Sequence, residues 1–437
     1  MQTDPRETIA AAPMGRVQII AVALCVGLNA LDGFDVLSIS FASPGIAREW
    51  GIDRAALGLV LSMELIGMAV GSMVLGNLAD RIGRRPIVLG CLVIMSAGMA
   101  LATAAGDVVA LSLFRLLTGF GIGGMLAATN AVVAEFANAK HRSLCVALMA
   151  AGYPAGAIIG GAVASQLLVA GDWRIVFSFG ALVTAALLPL VWFLLPETLG
   201  YLVQRRPTNA LAKVNHLLAR FSRESVDSLP ALSGSTPRTG LGQLFAPALA
   251  PITLLLTTAY FMHIMTFYFI LKWIPKIVVD MGHAASTAGS VLVWANVGGL
   301  AGAVLLSFLT WRIAVGSLVI AALLASTVIV SVFGLGQSDL SQLSLIAAAA
   351  GFCTNAGVVG LYAIMAQTFP TAVRAGGTGF VIGVGRGSAA LGPIIAGQLF
   401  NQGWGLFPVA VAMGLGSLVA AVALAALRRR QAAYASA

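Results

Sequence analysis

Charge is what this sequence has least of. Asp, Glu, Lys and Arg make up 9% of its 437 residues, where an ordinary soluble domain carries roughly 25%. Hydrophobic residues reach 59% and the mean hydropathy is +0.96. Two or three soluble domains, the usual content of a chain this long, are thereby excluded: too few polar side chains exist to coat cores of that size. Cysteine is scarce too. Cys25, Cys91, Cys145 and Cys353 all lie inside apolar runs without CxxC or zinc-ligand spacing, which excludes a disulfide framework and leaves small packing residues. No Gly-x-x-x-x-Gly-Lys-Ser/Thr run occurs, so an ATP-driven pump with a phosphate-binding loop is excluded, and no His-Glu-x-x-His or nucleophile motif points to an enzyme. No metal and no cofactor are expected.

What the chain has is long apolar runs. Crossing the hydrocarbon takes about 20 apolar residues, and such runs fall near 17–42, 55–78, 87–105, 108–134, 144–169, 175–195, 249–271, 284–308, 315–335, 341–366, 376–399 and 404–427. They predict an all-α membrane protein of twelve transmembrane helices in two pseudo-symmetric six-helix bundles. One bundle covers 1–195, a polar cytoplasmic linker 196–245, and the second bundle 246–437. The first 16 residues are polar and no small-residue cleavage site follows the first run, so that run is read as a retained helix. A net charge of +9 would suggest nucleic acid in a soluble protein. Here the basic residues sit in loops, and the expected partner is the bilayer, not nucleic acid. With both termini inside, eighteen of the 25 Lys and Arg lie inside, five outside (Lys272 and Lys276 among them), and Arg115 and Arg386 within spans. The positive-inside rule then places both termini in the cytoplasm.

The halves resemble each other. A shift of 232 residues lays Ala134-Glu135 and Arg142-Ser143 over Ala366-Gln367 and Arg374-Ala375, and Gly160 over Gly392. Parallel halves with a site between them near the midplane fit an alternating-access transporter.

After the second span comes Gly76-Asn77-Leu78-Ala79-Asp80-Arg81-Ile82-Gly83-Arg84-Arg85. The glycines suit a tight turn, and an aspartate among arginines can lock one conformation and release in another; Gly76, Asp80, Arg81, Gly83, Arg84 and Arg85 are the expected gating residues. This run resembles the signature loop of the major facilitator superfamily, and the resemblance extends over the whole chain. The equivalent Leu309-Thr310-Trp311-Arg312-Ile313 lacks the aspartate and the glycine pair, so a gate there is weakened or differently built. Leu31-Asp32-Gly33-Phe34-Asp35, Leu195-Pro196-Glu197-Thr198-Leu199, Phe267 to Pro275, Phe369-Pro370-Thr371 and Gly385-Arg386-Gly387 with Gly392-Pro393 together look like the aromatic acid:proton symporter family. That resemblance implies the major facilitator fold and import of a benzoate-like acid with protons across the inner membrane. A monomer is expected.

Five ionisable residues lie inside the expected spans, Asp32, Asp35, Glu64, Arg115 and Arg386, each costing roughly 2.5–3.5 kcal/mol at a helix centre. Asp32 and Asp35 share a helix face and, with Glu64, are the proton-coupling candidates; Asp35 and Arg115 lie at similar depths and are expected to pair. Arg386, near the midplane, is the candidate for the substrate carboxylate, since a guanidinium matches a carboxylate with two parallel bonds. A structural pairing of Arg386 with Glu64 is the competing expectation. Arg115, Tyr153, His263, Trp294, Asn296 and Tyr362 complete the substrate-binding candidates. Two other functions stay open: a transporter of another small solute (a non-aromatic carboxylate, a sugar or a drug), and a transporter-like receptor for aromatic acids.

Overall fold

The computed structural model describes residues 4–230, 241–247, 249–370 and 373–436. Residues 231–240 of the expected linker and Thr371 of the Phe369-Pro370-Thr371 motif lie outside the described residues. The regular elements among the described residues are all helical: α1 (Pro5–Ala11), α2 (Arg16–Trp50), α3 (Arg54–Ile82), α4 (Arg84–Thr103), α5 (Val108–Phe136), α6 (Arg142–Ala170), α7 (Arg174–Leu194), α8 (Leu199–Arg205), α9 (Ala210–Arg220), a 3-10 turn at Leu241–Phe245, α10 (Ala250–Asp280), α11 (Ala285–Leu309), α12 (Val315–Phe333), α13 (Leu340–Thr368), α14 (Arg374–Asn401) and α15 (Leu406–Ser436). Twelve of these are long and apolar enough to cross a membrane, six before α8 and six after the 3-10 turn. The shortest, α12, has 19 residues, or about 28 Å at 1.5 Å per residue. Aspartates start three of the spans: the Asp53, Asp107 and Asp339 carboxylates accept from the amides of Ala56, Ala110 and Gln342, satisfying donors that a helix start leaves open.

Glycine decides how closely the spans cross. A Cβ on Gly67 of α3 would stand 2.1 Å from the Leu116 carbonyl oxygen of α5, and one on Gly119 of α5 would stand 2.0 Å from that of Glu64. The two backbones therefore touch, as small residues allow where lipid leaves no hydrophobic drive between helices. The second half repeats the arrangement, with Gly298 of α11 against Ala348 of α13 and Gly351 against Ala295. The packing pairs α3–α5, α2–α6 and α4–α7 recur as α11–α13, α10–α14 and α12–α15.

Two boundaries differ from expectation. The first span continues to Trp50 and α10 continues through Pro275 to Asp280. Lys272 and Lys276 therefore belong to a helix rather than to a loop, and Lys272 is fully buried. The polar linker carries two short helices; α9 packs Val214, Leu217 and Leu218 inward and sets Phe221 edge-on to Phe136.

The halves meet toward the face opposite the termini. The Ser62 hydroxyl of α3 donates to the Ala390 carbonyl of α14 at 2.7 Å, Gly58 packs on Pro393 and Gly397, Gly289 of α11 packs on Ser165 of α6, and Arg54 pairs with Asp280 at 3.1 Å. Following the same helix faces toward the termini, contact is lost. Met73, three turns below Ser62, is 58% exposed. A Cβ on Gly379 or Gly383, in line with Ala390, would meet nothing within 4 Å. The cleft between the halves is a wedge, closed at one face and open at the face that carries the termini.

Candidate functional site

Two clusters of polar side chains sit along this wedge. The first lies near its closed end. Glu64 of α3 is fully buried, with Arg115 of α5 at 2.6 Å and Lys272 of α10 at 3.5 Å, both themselves fully buried. The close α3–α5 crossing produces the first pair: Gly119 touches the Glu64 backbone, and Arg115 stands one turn away on the same face. Arg115 also donates to the Asp35 carbonyl at 2.9 Å and lies over the Phe177 ring, 5.2 Å from its centroid. Lys272 reaches across from the second half and donates to the Val36 carbonyl of α2.

Asp32 and Asp35 are fully buried beside this cluster, yet among the described residues none of their four carboxylate oxygens has a hydrogen-bond partner. The expected Asp35–Arg115 ion pair is not formed. Arg115 takes the backbone carbonyl of Asp35 and gives its charge to Glu64, because the glycine crossing brings α3 nearer to it than the α2 side chain. The competing pairing of Arg386 with Glu64 fails for the same reason, since both Glu64 oxygens face other cations.

The second cluster lies nearer mid-depth. Tyr260 of α10 and Tyr362 of α13 share a hydrogen bond between their hydroxyls at 2.9 Å, their rings 5.7 Å apart. Gly385 of α14 backs onto the Tyr260 ring, where a Cβ would intrude to 2.2 Å. Arg386, next in sequence, is partly buried and near enough to Tyr260 and Tyr268 to act on them electrostatically. Among the described residues no hydrogen bond or ion pair reaches its guanidinium. Tyr153 of α6 faces this group from the first half, its buried phenol beside that of Tyr268. Gly33 makes room for it, since a Cβ there would stand 2.0 Å from the Tyr153 carbonyl oxygen.

Three of the sequence candidates lie elsewhere. His263 is buried with both ring nitrogens engaged, Nδ1 with Ser417 Oγ at 2.9 Å and Nε2 with the Thr354 carbonyl at 2.8 Å. It ties α10 to α13 and α15, and has no nitrogen left for a substrate. Asn296 spends its amide on the Leu292 carbonyl of its own helix. Trp294 is 53% exposed on one stripe with Leu305 and Phe308, the bilayer side of α11.

The signature loop forms a third polar group, at the terminal face. Arg84 pairs with Asp80 at 3.1 Å and with Glu135 at 3.4 Å. Gly83 turns at φ 111, which favours glycine, and a Cβ there would strike the Glu197 carboxylate at 2.3 Å. Glu197 accepts from the amides of Arg84 at 3.0 Å and Thr198 at 2.9 Å, at the start of α4 where a negative charge is favoured. Burial holds its carboxyl above the ordinary value, against the lowering effect of those amides. Arg205 donates to the Asp80 carbonyl. Gly76 packs near Ala127, Arg81 is exposed, and Arg85 donates to the Trp192 carbonyl.

A family model described as Major Facilitator Superfamily matches residues 24–324. The chain belongs to the major facilitator superfamily. Its curated relatives span nearly its whole length. It is 32% identical to the gallate transporter of Pseudomonas putida over 429 residues, 97% of this chain and 94% of that one. It is 31% identical to the 3-(3-hydroxy-phenyl)propionate transporter of Escherichia coli, covering 94% of each, and 29% identical to the 4-hydroxybenzoate transporter PcaK of Acinetobacter baylyi, covering 96% and 93%. These relatives agree with the aromatic acid:proton symporter family as the branch of the superfamily. Among solved structures the fold matches the inward-open xylose transporter XylE of E. coli with a TM-score of 0.72 at 17% identity, covering 93% of this chain and 95% of that one. This major facilitator protein is a multi-pass membrane transporter, not an enzyme.

Two features of the site were not assigned from the sequence. Lys272 sits in Ile270-Leu271-Lys272-Trp273-Ile274, and the apolar residues continuing to Val279 were the signal that it lies within a helix. Glu197, in the quoted Pro196-Glu197-Thr198, carried no assigned role; its position after the sixth span marked it as a loop acid.

Proposed function

We propose that this protein is a proton-coupled symporter that imports an aromatic carboxylate, of the benzoate or hydroxybenzoate class, across the inner membrane. Both termini are cytoplasmic in this reading, so the open wedge is the inward-facing state. The bodies 1–195 and 246–437 rock as two units, as a monomer, with 196–245 as the cytoplasmic linker. The observation that carries the reading is Arg386: a guanidinium without a partner among the described residues, near mid-depth, beside a wall of tyrosines between the halves. A flat ring bearing a carboxylate fits such a place, with two parallel bonds to the fork and aromatic faces alongside. Tyr260, Tyr268, Tyr362 and Tyr153 supply the wall and hydroxyls for ring substituents. The names of the relatives, transporters of gallate and hydroxybenzoate, support the substrate class.

Coupling belongs to Asp32 and Asp35. Keeping an ionised carboxylate buried without a donor is costly, so each holds a proton or gains a cation as the halves move. Glu64 and Arg115 anchor the first half of the cluster. Lys272 crosses to it from the second half, and that tie must break when the closed face opens.

Binding of 4-hydroxybenzoate to purified Arg386→Lys protein tests the carboxylate site. Lysine loses the paired geometry, and a charge-assisted bond contributes about 1.5–3 kcal/mol, so the acid should bind about 10- to 100-fold more weakly. Binding of the neutral amide should hardly change. Near-normal affinity for the acid removes Arg386 from the site.

A further inference from the structure

Outside the transport path, a cavity of about 490 Å³ opens between the end of α7 and the linker helix α9. One wall is basic, formed by Arg85, Lys213, His216 and Arg220. Lys213, His216 and Arg220 follow a spacing of three and four, one face of α9, and all three are exposed, while the adjoining face, with Val214, Leu217 and Leu218, is buried. The other wall, at the end of α7, is apolar, with Phe193, Leu195 and Pro196. Phe193, in the last turn of a membrane span, is 74% exposed and neighbours Trp192, whose ring lies under the Arg85 guanidinium, 5.5 Å away. Aromatic side chains at the end of a span mark the headgroup level. Arg85 Nε is buried and has no hydrogen-bond partner among the described residues. The one carboxylate in the wall, Glu197, is occupied with the amides of Arg84 and Thr198.

We propose that this cavity binds the phosphate headgroup of an anionic phospholipid from the leaflet on the terminal side. The chemistry selects an amphiphile: the basic stripe of α9 neutralises the phosphodiester, and Phe193 and Trp192 lie where the acyl chains leave for the bilayer. A basic pocket between helices at a membrane surface is the usual form of such recognition. The lipid joins α9 to the end of α7 directly beside the Glu197 cap of the signature loop.

Native mass spectrometry of the detergent-purified full chain tests this with phosphatidylglycerol, phosphatidylcholine and inorganic phosphate as probes. The wild type should retain phosphatidylglycerol in preference to phosphatidylcholine. Lys213→Gln/Arg220→Gln should bind phosphatidylglycerol about thirty-fold more weakly, at the usual worth of two surface cations. Phe193→Ala should weaken the lipid without affecting any binding of phosphate. Equal retention of the two lipids by the wild type overturns the proposal, as does unchanged phosphatidylglycerol binding in the double variant. Inorganic phosphate competing as well as the lipid overturns it in favour of a free-anion site. If the double variant does not fold, the wild-type competition still decides.

Discussion

Asp32 and Asp35 stand three residues apart on α2, fully buried, with no donor among the described residues on either carboxylate. Replacing either by asparagine keeps the shape and removes the ability to exchange a proton. In proteoliposomes with an imposed gradient, one proton per acid supports about tenfold accumulation per pH unit, since each unit is 1.36 kcal/mol. Asp32→Asn and Asp35→Asn should each reduce this to simple equilibration while the protein still inserts; full accumulation by both removes α2 from coupling. The sequence made these residues visible because a charge inside an apolar run stands out, and Arg115 and Arg386 were visible for the same reason. Their pairing was not legible. Depth along a helix says how high a side chain sits but not which way it faces, and Arg115 chose Glu64 over Asp35 through a glycine contact between α3 and α5. The partners of His263 were hidden likewise: nothing in the sequence reveals that Ser417 and Thr354, from distant helices, take both its nitrogens.

At the scale of elements, hydropathy located all twelve spans, because lipid demands a long apolar run from every one of them. It placed two ends poorly. Lysine and proline near Lys272-Trp273-Ile274-Pro275 imitate a loop, whereas α10 continues because neighbouring helices enclose it. The glycines of the spans are unequal in what they pack against. Gly119→Ala places a methyl against the Glu64 backbone, which cannot yield as a side chain can. About 1–3 kcal/mol of destabilisation is expected, read as a lowered Tm of the detergent-purified protein. Gly90→Ala, where no atom stands within 4 Å of the new Cβ, should leave Tm unchanged or slightly raised, since alanine favours the helix. Equal losses at both positions would show that helix contact does not limit these sites.

For the whole molecule, the halves touch at one face and part toward the other, and in the proposed orientation, which rests on basic-residue placement, the open face is cytoplasmic. Single cysteines in a cysteine-free background check both at once. Gly383→Cys should react with a membrane-impermeant thiol reagent in inside-out vesicles, while Ser62→Cys, inside the closed contact, should be protected. Prompt reaction of Gly383→Cys from outside in intact cells reverses the orientation. The fold class was legible from composition and loop charges together. The open side of the wedge was not, since one sequence must serve both states of an alternating carrier.

The unpartnered pair Asp32 and Asp35 bears on what energises the proposed symport. Whatever protons the two hold in the empty carrier, loading adds one carboxylate, a single negative charge, and one proton, a single positive charge. The loaded and the empty crossings then carry the same net charge, and at one proton per acid a full cycle moves none. A membrane potential acts on charge alone, with about 2.3 kcal/mol per unit charge per 100 mV, and finds nothing here to pull on. A potassium diffusion potential set with valinomycin, at equal pH on both sides, should therefore drive no uptake, while a pH gradient at zero potential should drive it fully. Uptake driven by the potential would mean that more than one proton accompanies each acid.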